Sequence, residues 1–308
     1  MDGEKLASGS SDGSIRIWFM DRIASSLISS SSSSSRISGN VSIEIANGNR
    51  NVNQVQFCPL DSNLLASAST DKTVKIWDIS NSQQAPQLLL TISTEIENLT
   101  LTWHPLKPIL AVGTKDDRVL FYDLTGNEAK LIETIKFSSE VNDISWSVDG
   151  KDFAVALGNG AVEIYTEFQR SNVLRAHTAD CFCVRFMGND LLAIGSSDAQ
   201  ISLWSREKGF ACFRVLNRME WPIRTISFSH DSEFLAVGSE DPFIAIEHIK
   251  TGSLVAKIST GKASSESRAG IPINAVTWHP SKNILAFAGS EVDDRTGKPT
   301  GTIKLFGI

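Results

Sequence analysis

Apolar and polar positions along this chain alternate in short runs of four to seven residues, and the same pair of runs keeps returning. Residues 64–78, LLASASTDKTVKIWD, recur as KLASGSSDGSIRIW at 5–18, ILAVGTKDDRVLFYD at 109–123 and LLAIGSSDAQISLW at 191–204. Weaker copies occupy 153–165, 234–247 and 284–306, the last one interrupted, which makes seven copies in all. Each copy predicts two β-strands joined by a tight turn, because period-two alternation broken by Asp, Asn or Gly is the mark of a hairpin. A further run precedes most copies and ends in an aromatic and a turn: NQVQFCP, LTLTWHP, VNDISWSVDG, FCVRFMG, RTISFSHDS and NAVTWHPS. The unit is therefore a small antiparallel sheet. No helical period of 3.6 persists for three turns, which argues against βαβ architectures.

The aromatic that ends the inner hairpin stands at Trp18, Trp77, Tyr122, Tyr165 and Trp204, with Glu247 and Phe306 in the same place of the last two copies. Its recurrence at about 43 residues, with four strands per unit and the pair Trp77-Asp78, is the signature of the WD40 family. The chain resembles that family throughout. The resemblance implies an all-β, seven-bladed WD40 β-propeller occupying 1–308 as one domain. A single blade cannot bury both of its faces, so the core would be shared between blades.

The same resemblance implies a buried network in each blade: a turn Asp six residues before the aromatic, a strand-b Ser or Thr, and a His ahead of strand a. Asp12 with Trp18, Asp71 with Trp77 and Asp198 with Trp204 fit, as does Asp116 with Tyr122. Asn159 and Asp241 hold the turn position of the fourth and sixth copies. Only the fifth copy offers the full set, His177, Ser196, Asp198 and Trp204. Ser, His and Asp in one network also invite a hydrolase reading, since a carboxylate-oriented imidazole activates a serine. The structural reading is preferred, because buried polar groups must satisfy one another and no oxyanion hole is implied.

The insertions are legible as breaks in the period. Residues 22–40 include the serine run Ser29 to Ser35 and are expected to be disordered, having too little apolar surface to offset ordering entropy. Residues 261–271 and 290–301 are expected as loop insertions in the last blade. The first copy starts at strand b and the last stops at strand c. Against the family pattern, the chain therefore reads as N-terminally incomplete, lacking its first strand a and the closing outer strand, with Met1 a truncated or mis-assigned start.

Composition narrows the function classes. The chain has 308 residues, is 41% hydrophobic and 21% charged, and carries a net charge of -6. These are ordinary globular values, and the negative balance disfavours a simple polyanion binder. The four cysteines, Cys58, Cys181, Cys183 and Cys212, do not make a disulfide framework. With no apolar signal core at the N-terminus, a reducing compartment is expected. Cys181 and Cys183 alternate along one strand and so should share a face; both are expected as core or semi-buried residues. His104, His279 and His230 are expected as turn residues after strand a. No Walker, dinucleotide or kinase motif occurs, so neither enzyme activity nor a cofactor or metal is expected.

A narrower resemblance rests on MEWPIRTISFSHD from Met219, followed by FLAVGSEDPFIAIEHIKTG, on IENLTLTWHP, AHTADCFCVRF and AVTWHP, and on the terminal GTIKLFGI. In this order the segments resemble the WD40 subunits of the THO complex. That resemblance implies a nuclear, non-catalytic scaffold, part of the transcription-export (TREX) assembly that couples transcription to mRNA export. Its partners would be the other THO subunits and, through them, export factors and messenger ribonucleoprotein, with direct RNA contact minor and no membrane contact. The alternative is a WD40 adaptor of another assembly, such as a ubiquitin-ligase substrate receptor. Arg218, Trp221 and Arg224, in the loop before the sixth strand a, form the candidate partner surface, since Trp and Arg are frequent interface anchors.

Overall fold

The computed structural model describes residues 3–23, 42–48, 50–81, 84–126, 128–188, 190–260, 272–292 and 299–307. They form seven antiparallel meandering sheets. Blade 1 contains β1 (Lys5–Gly9), β2 (Ser14–Phe19) and β3 (Ser42–Ala46). Blade 2 contains β4 (Val52–Phe57), β5 (Leu64–Ser69), β6 (Thr73–Asp78) and β7 (Gln87–Ser93), and blade 3 contains β8 (Asn98–Trp103), β9 (Ile109–Thr114), β10 (Arg118–Asp123) and β11 (Lys130–Lys136). Blade 4 follows with β12 (Val141–Trp146), β13 (Asp152–Leu157), β14 (Ala161–Thr166) and β15 (Gln169–Arg175). Blade 5 has β16 (Cys181–Met187), β17 (Leu191–Ser196), β18 (Ile201–Ser205) and β19 (Ala211–Leu216). Blade 6 has β20 (Thr225–Phe228), β21 (Phe234–Gly238), β22 (Phe243–His248) and β23 (Leu254–Ser259), and blade 7 has β24 (Ile273–Trp278), β25 (Ile284–Val292) and β26 (Pro299–Gly307). Blades 1 to 3 belong to one compact unit, Met1–Lys136, and blades 4 to 7 to a second, Phe137–Ile308.

Burial grades across each blade. Strand β13 is buried at every position, whereas the outer strand β11 is exposed at all but one. Neighbouring blades within a unit share their apolar faces: Val74, Ile76, Leu101 and Leu110 pack in one cluster of the first unit, and Ala154, Ile164, Val184 and Leu192 in one of the second. Full burial of one such aliphatic side chain is worth about 1.5–3 kcal/mol. This is why no blade needs two buried faces of its own.

Polar side chains on the inner strands complete the joints. The Asn53 amide donates to Asn98 O (2.8 Å), while Gln54 Oε1 accepts from Thr100 Oγ1 and from Leu101 N. Asn142 donates to Cys181 O, Ser145 Oγ accepts from Phe186 N, and the carboxylate of Asp143 takes Val184 N and the Arg185 guanidinium. Thr225 and Ser227 serve β24 in the same way. Most of these bonds satisfy a backbone group of the neighbouring blade's first strand. Asn98, part of an N-x-T sequon, is itself fully buried and bonds Ser69 O and Thr73 O.

Two irregularities recur. The register slips one step into strand a, between Val52 and Gln54, Asn98 and Thr100, Val141 and Asp143, Cys181 and Cys183, and Ile273 and Ala275. It slips again just before the aromatic position, at Trp77, Tyr122, Tyr165, Trp204 and Glu247. A bulge re-aims the next side chain, which turns the aromatic position toward the turn network.

Three expectations change here. Cys181 and Cys183 do not share a face: the bulge between them sends Cys181 into the core with blade 4 and Cys183 into the core with blade 6. Residues 290–292 and 299–301 are not loop but the far end of a hairpin paired out to Val292 and Pro299; 293–298 lie outside the described residues. Of the segment 22–40, residues 24–40 lie outside the described residues, as do 261–271, but 20–23 form a helical turn. There Ile23 is buried and the Arg22 guanidinium sits over the Phe19 ring at 4.3 Å.

Candidate functional site

The turns joining strands b and c, with the loops before strand a, gather most of the residues singled out by sequence. In blades 1, 2 and 5 the turn Asp accepts the backbone N–H two residues on: Ser14 to Asp12 at 2.8 Å, Thr73 to Asp71 at 2.9 Å, Gln200 to Asp198 at 3.0 Å. Asn159 does the same for Ala161. The residue after it has positive φ, as in Gly13 (83°), Lys72 (70°), Asp117 (63°), Gly160 (80°) and Ala199 (63°). Bonds from Ser14 hold the Asp12 carboxyl below the usual carboxylate range. Burial pushes Asp116 upward, but Thr114 and Arg118 outweigh it, and both bond to its carboxylate at 2.6 Å. Asp116 is thus spent on Thr114 and Arg118, with no bond to Tyr122.

Trp18 and Trp77 donate their indole N–H to the strand-b hydroxyls of Ser8 and Ser67, both at 3.1 Å and ten residues earlier in the chain. Ser67 passes its own proton to Asn47 Oδ1 at 2.9 Å. Asn47 thereby stands in for the histidine. Blade 5 is wired differently. Ten residues before Trp204 is Ile194, and Trp204 Nε1 donates instead to Ser202 Oγ on strand c (2.8 Å). Ser202 Oγ meets His177 Nε2 at 2.9 Å, and His177 Nδ1 meets Asp198 Oδ2 at 2.9 Å. One proton assignment satisfies the chain: Nδ1–H donates to Asp198 and Nε2 accepts from Ser202.

The hydroxyl of the network is therefore Ser202, not Ser196. Ser196 belongs to another series, with Ser10, Ser69 and Ser239, whose hydroxyls accept the turn Asp N–H; its own distance to Asp198 N is 3.3 Å. Counting back from Trp rather than forward from the hairpin start would have separated the two. Asp198, His177 and Ser202 have the connectivity of a hydrolytic triad, but Ser202 is 1% exposed and its oxygen already accepts the Trp204 proton. Bonded and buried in this way, the hydroxyl serves to satisfy buried groups.

Blade 6 departs further. Pro242 follows the turn Asp, and a ring-fixed φ forbids the left-handed residue used elsewhere. The 2%-exposed Asp241 instead accepts Ser239 Oγ at 2.6 Å, Glu220 N at 3.2 Å and Trp221 N at 3.2 Å, clamping the loop before β20. Glu247, in the aromatic position, is also buried, and burial raises its carboxyl above the usual range despite the Arg218 guanidinium at 3.1 Å. Arg218 bonds Gly252 O as well, so it is committed within the blade. Arg224 pairs with Glu240 at 3.3 Å and lies 5.0 Å over the Phe182 ring. Of the three expected partner residues, Arg224 is exposed beside Phe182, Trp221 is half-buried, and Arg218 is exposed but braced by Glu247 and Gly252 O.

Burial lifts the Cys181 thiol to about 12 and Cys183 higher still. His104 and His279 cap the turns after strand a by accepting backbone N–H groups. In blade 6 that place belongs to Ser229, which takes Phe234 N at 2.9 Å; His230 is the next, exposed residue. Among the described residues, no group of three or more His, Cys, Asp or Glu could hold a metal ion, and no helix is long and apolar enough to cross a membrane.

Comparison with known proteins agrees with this architecture. The family model of the WDR19 first beta-propeller matches residues 54–220, that of the anaphase-promoting complex subunit 4 WD40 domain matches 181–281, and that of the WD domain, G-beta repeat, matches 1–18. THO complex subunit 3 of Arabidopsis thaliana is 33% identical over 310 residues, covering 100% of this chain and 90% of that protein. WD repeat-containing protein AAC3 of Dictyostelium discoideum is 30% identical over 99% of this chain, which spans 63% of AAC3. The crystal structure of the Myceliophteria thermophila Cps50 (Swd1) beta-propeller domain superposes with a TM-score of 0.77 over 99% of this chain and 94% of its own, at 15% identity, a likeness of fold alone. The seven sheets are the blades of a β-propeller, and the chain belongs to the WD40-repeat family.

Proposed function

We propose that this chain is the WD40 scaffold subunit of a THO-type assembly in the nucleus. It would act by holding other subunits of that assembly, and through them export factors and messenger ribonucleoprotein, without chemistry of its own. The observation that carries the reading is the full-length likeness to THO complex subunit 3. The saturated Ser202–His177–Asp198 chain and the net charge of -6 support a protein-binding role over catalysis or direct RNA binding. Trp221 and Arg224, on the loop clamped by Asp241, are the proposed contact surface.

Affinity purification of the tagged chain from nuclear extract, read by mass spectrometry, tests this. Recovery of the other THO subunits is expected; recovery of cullin adaptors without them overturns the assignment in favour of a ligase receptor. Trp221→Ala should lower THO recovery severalfold with the melting temperature unchanged. A lower melting temperature with full recovery would make Trp221 a packing residue.

A further inference from the structure

At the joint between blades 4 and 5, the turn Asn159–Ala161, the loop Arg175–Thr178 and the turn Asp198–Gln200 surround an open cleft of about 630 Å³, with Val215 of β19 on its outer side. At the same joint of blades 1 and 2 a lysine spans the corresponding place. There Lys75, two residues before the aromatic, pairs with Asp71 at 3.8 Å and reaches the Asn47 carbonyl. In blade 5 the residue two before the aromatic is Ser202, whose short side chain is consumed below by His177 and Trp204. Nothing long enough remains to fill the gap.

Exposed donors line the cleft. The exposed Arg175 guanidinium pairs with no described residue, and neither the Gln200 amide nor the Thr178 hydroxyl has a described side-chain partner. The acidic group at the floor, Asp198, is already engaged by His177 and by Gln200 N. Ala161, Ala176 and Val215 supply small or apolar walls among the polar lining residues, which also include Asn159 and His177. A free guanidinium presents a fork that matches a carboxylate through two parallel N–H···O bonds. A phosphate dianion fits less well, because one cation must then balance two charges with Asp198 nearby.

We propose that this cleft is a docking site for an extended segment of a partner protein, whose Asp or Glu side chain is held by Arg175, Gln200 and Thr178 and whose neighbouring apolar residue lies on Val215. The partner is defined by this chemistry alone, and the inference does not depend on the THO assignment.

The test is selection of a random dodecapeptide display library on the whole chain, with the Arg175→Glu chain as counter-selector. Peptides sharing an Asp or Glu at one position are expected. Affinity should fall at least tenfold with Arg175→Glu, as it should with Asn or Gln in place of the peptide acid, and about threefold with Gln200→Ala. Arg175 is exposed, so its substitution should leave the melting temperature unchanged. No enrichment, enrichment without a shared acid, or equal binding to the Arg175→Glu chain overturns the proposal. Tighter binding of a selected peptide carrying phosphoserine in place of its acid would overturn the carboxylate assignment.

Discussion

Blades 2 and 5 carry the same turn Asp, the same Trp six residues later and the same hairpin register, yet they hold their Trp by different hydroxyls. In blade 2 the strand-b hydroxyl of Ser67 bridges Trp77 to Asn47, and Lys75 runs from Asp71 to the Asn47 carbonyl. In blade 5 strand b offers only Ile194 at that place, and Ser202 on strand c takes over, with His177 descending to meet it. The lesson is that the network conserves satisfaction of the indole N–H and the turn carboxylate, not the residue that provides it. Moving the hydroxyl to strand c removes the long side chain there and opens the joint to solvent.

The comparison can be broken by substitution. The largest effect should come from Trp77→Ala: the ring is 6% exposed between blades 1 and 2, and its loss should cost about 3–5 kcal/mol in denaturant unfolding. Next, Ser202→Ala should cost about 1–3 kcal/mol, because it orphans both Trp204 Nε1 and His177 Nε2, whereas Ser196→Ala should cost under about 1 kcal/mol. Equal losses from the two would restore the strand-b reading of blade 5.

Acid unfolding sharpens a second difference, in how each blade is tied to the one before it. Blade 5 reaches back through Arg206 to the carboxylates of Asp149 at 3.0 Å and Asp152 at 2.5 Å, whereas Lys75 in blade 2 pairs with Asp71 of its own turn and reaches back to blade 1 through the neutral carbonyl of Asn47. Burial raises the Asp149 carboxyl, but the Ser147 hydroxyl and Arg206 outweigh it and hold it at about 2 against an ordinary 3.8. A carboxyl depressed in the folded state contributes stability that is complete above about pH 4 and is lost as pH falls through 2. Asp149→Asn should therefore lower stability at neutral pH and flatten its dependence between pH 4 and 2. The smallest expected effect is a gain: Ala199→Gly and Lys72→Gly relieve positive φ at both turns and should each stabilise by about 0.5–1 kcal/mol.

How far the chain could be read in advance varies by feature. The hairpins, the turn acids and the aromatic at the end of strand c were legible, because period-two alternation and a loop of fixed length leave one register. The partners of those residues were not. Aligning the fifth hairpin from its start made Ser196 the network hydroxyl, when a two-residue difference along a strand separates a turn cap from a residue facing Trp. Cys181 and Cys183 were placed on one face by strict alternation, which a bulge undoes. Arg218 reads from sequence only as an interface anchor; its bonds to Glu247, in an aromatic's place, and to Gly252 O appear only in the structure.

Sequence alone determined the repeat, the strand order within each blade, the WD40 family and the sites where the period breaks. Those features are local and depend on side-chain periodicity and turn chemistry. Tertiary structure decided which hydroxyl serves Trp204, that Asp241 clamps the loop carrying Trp221, and that a cleft lies at Arg175 where Lys75 spans the corresponding joint of blades 1 and 2. Each of these is set between blades, where bulges re-aim side chains and a buried polar group takes whichever partner is within about 3 Å, wherever in the chain it lies.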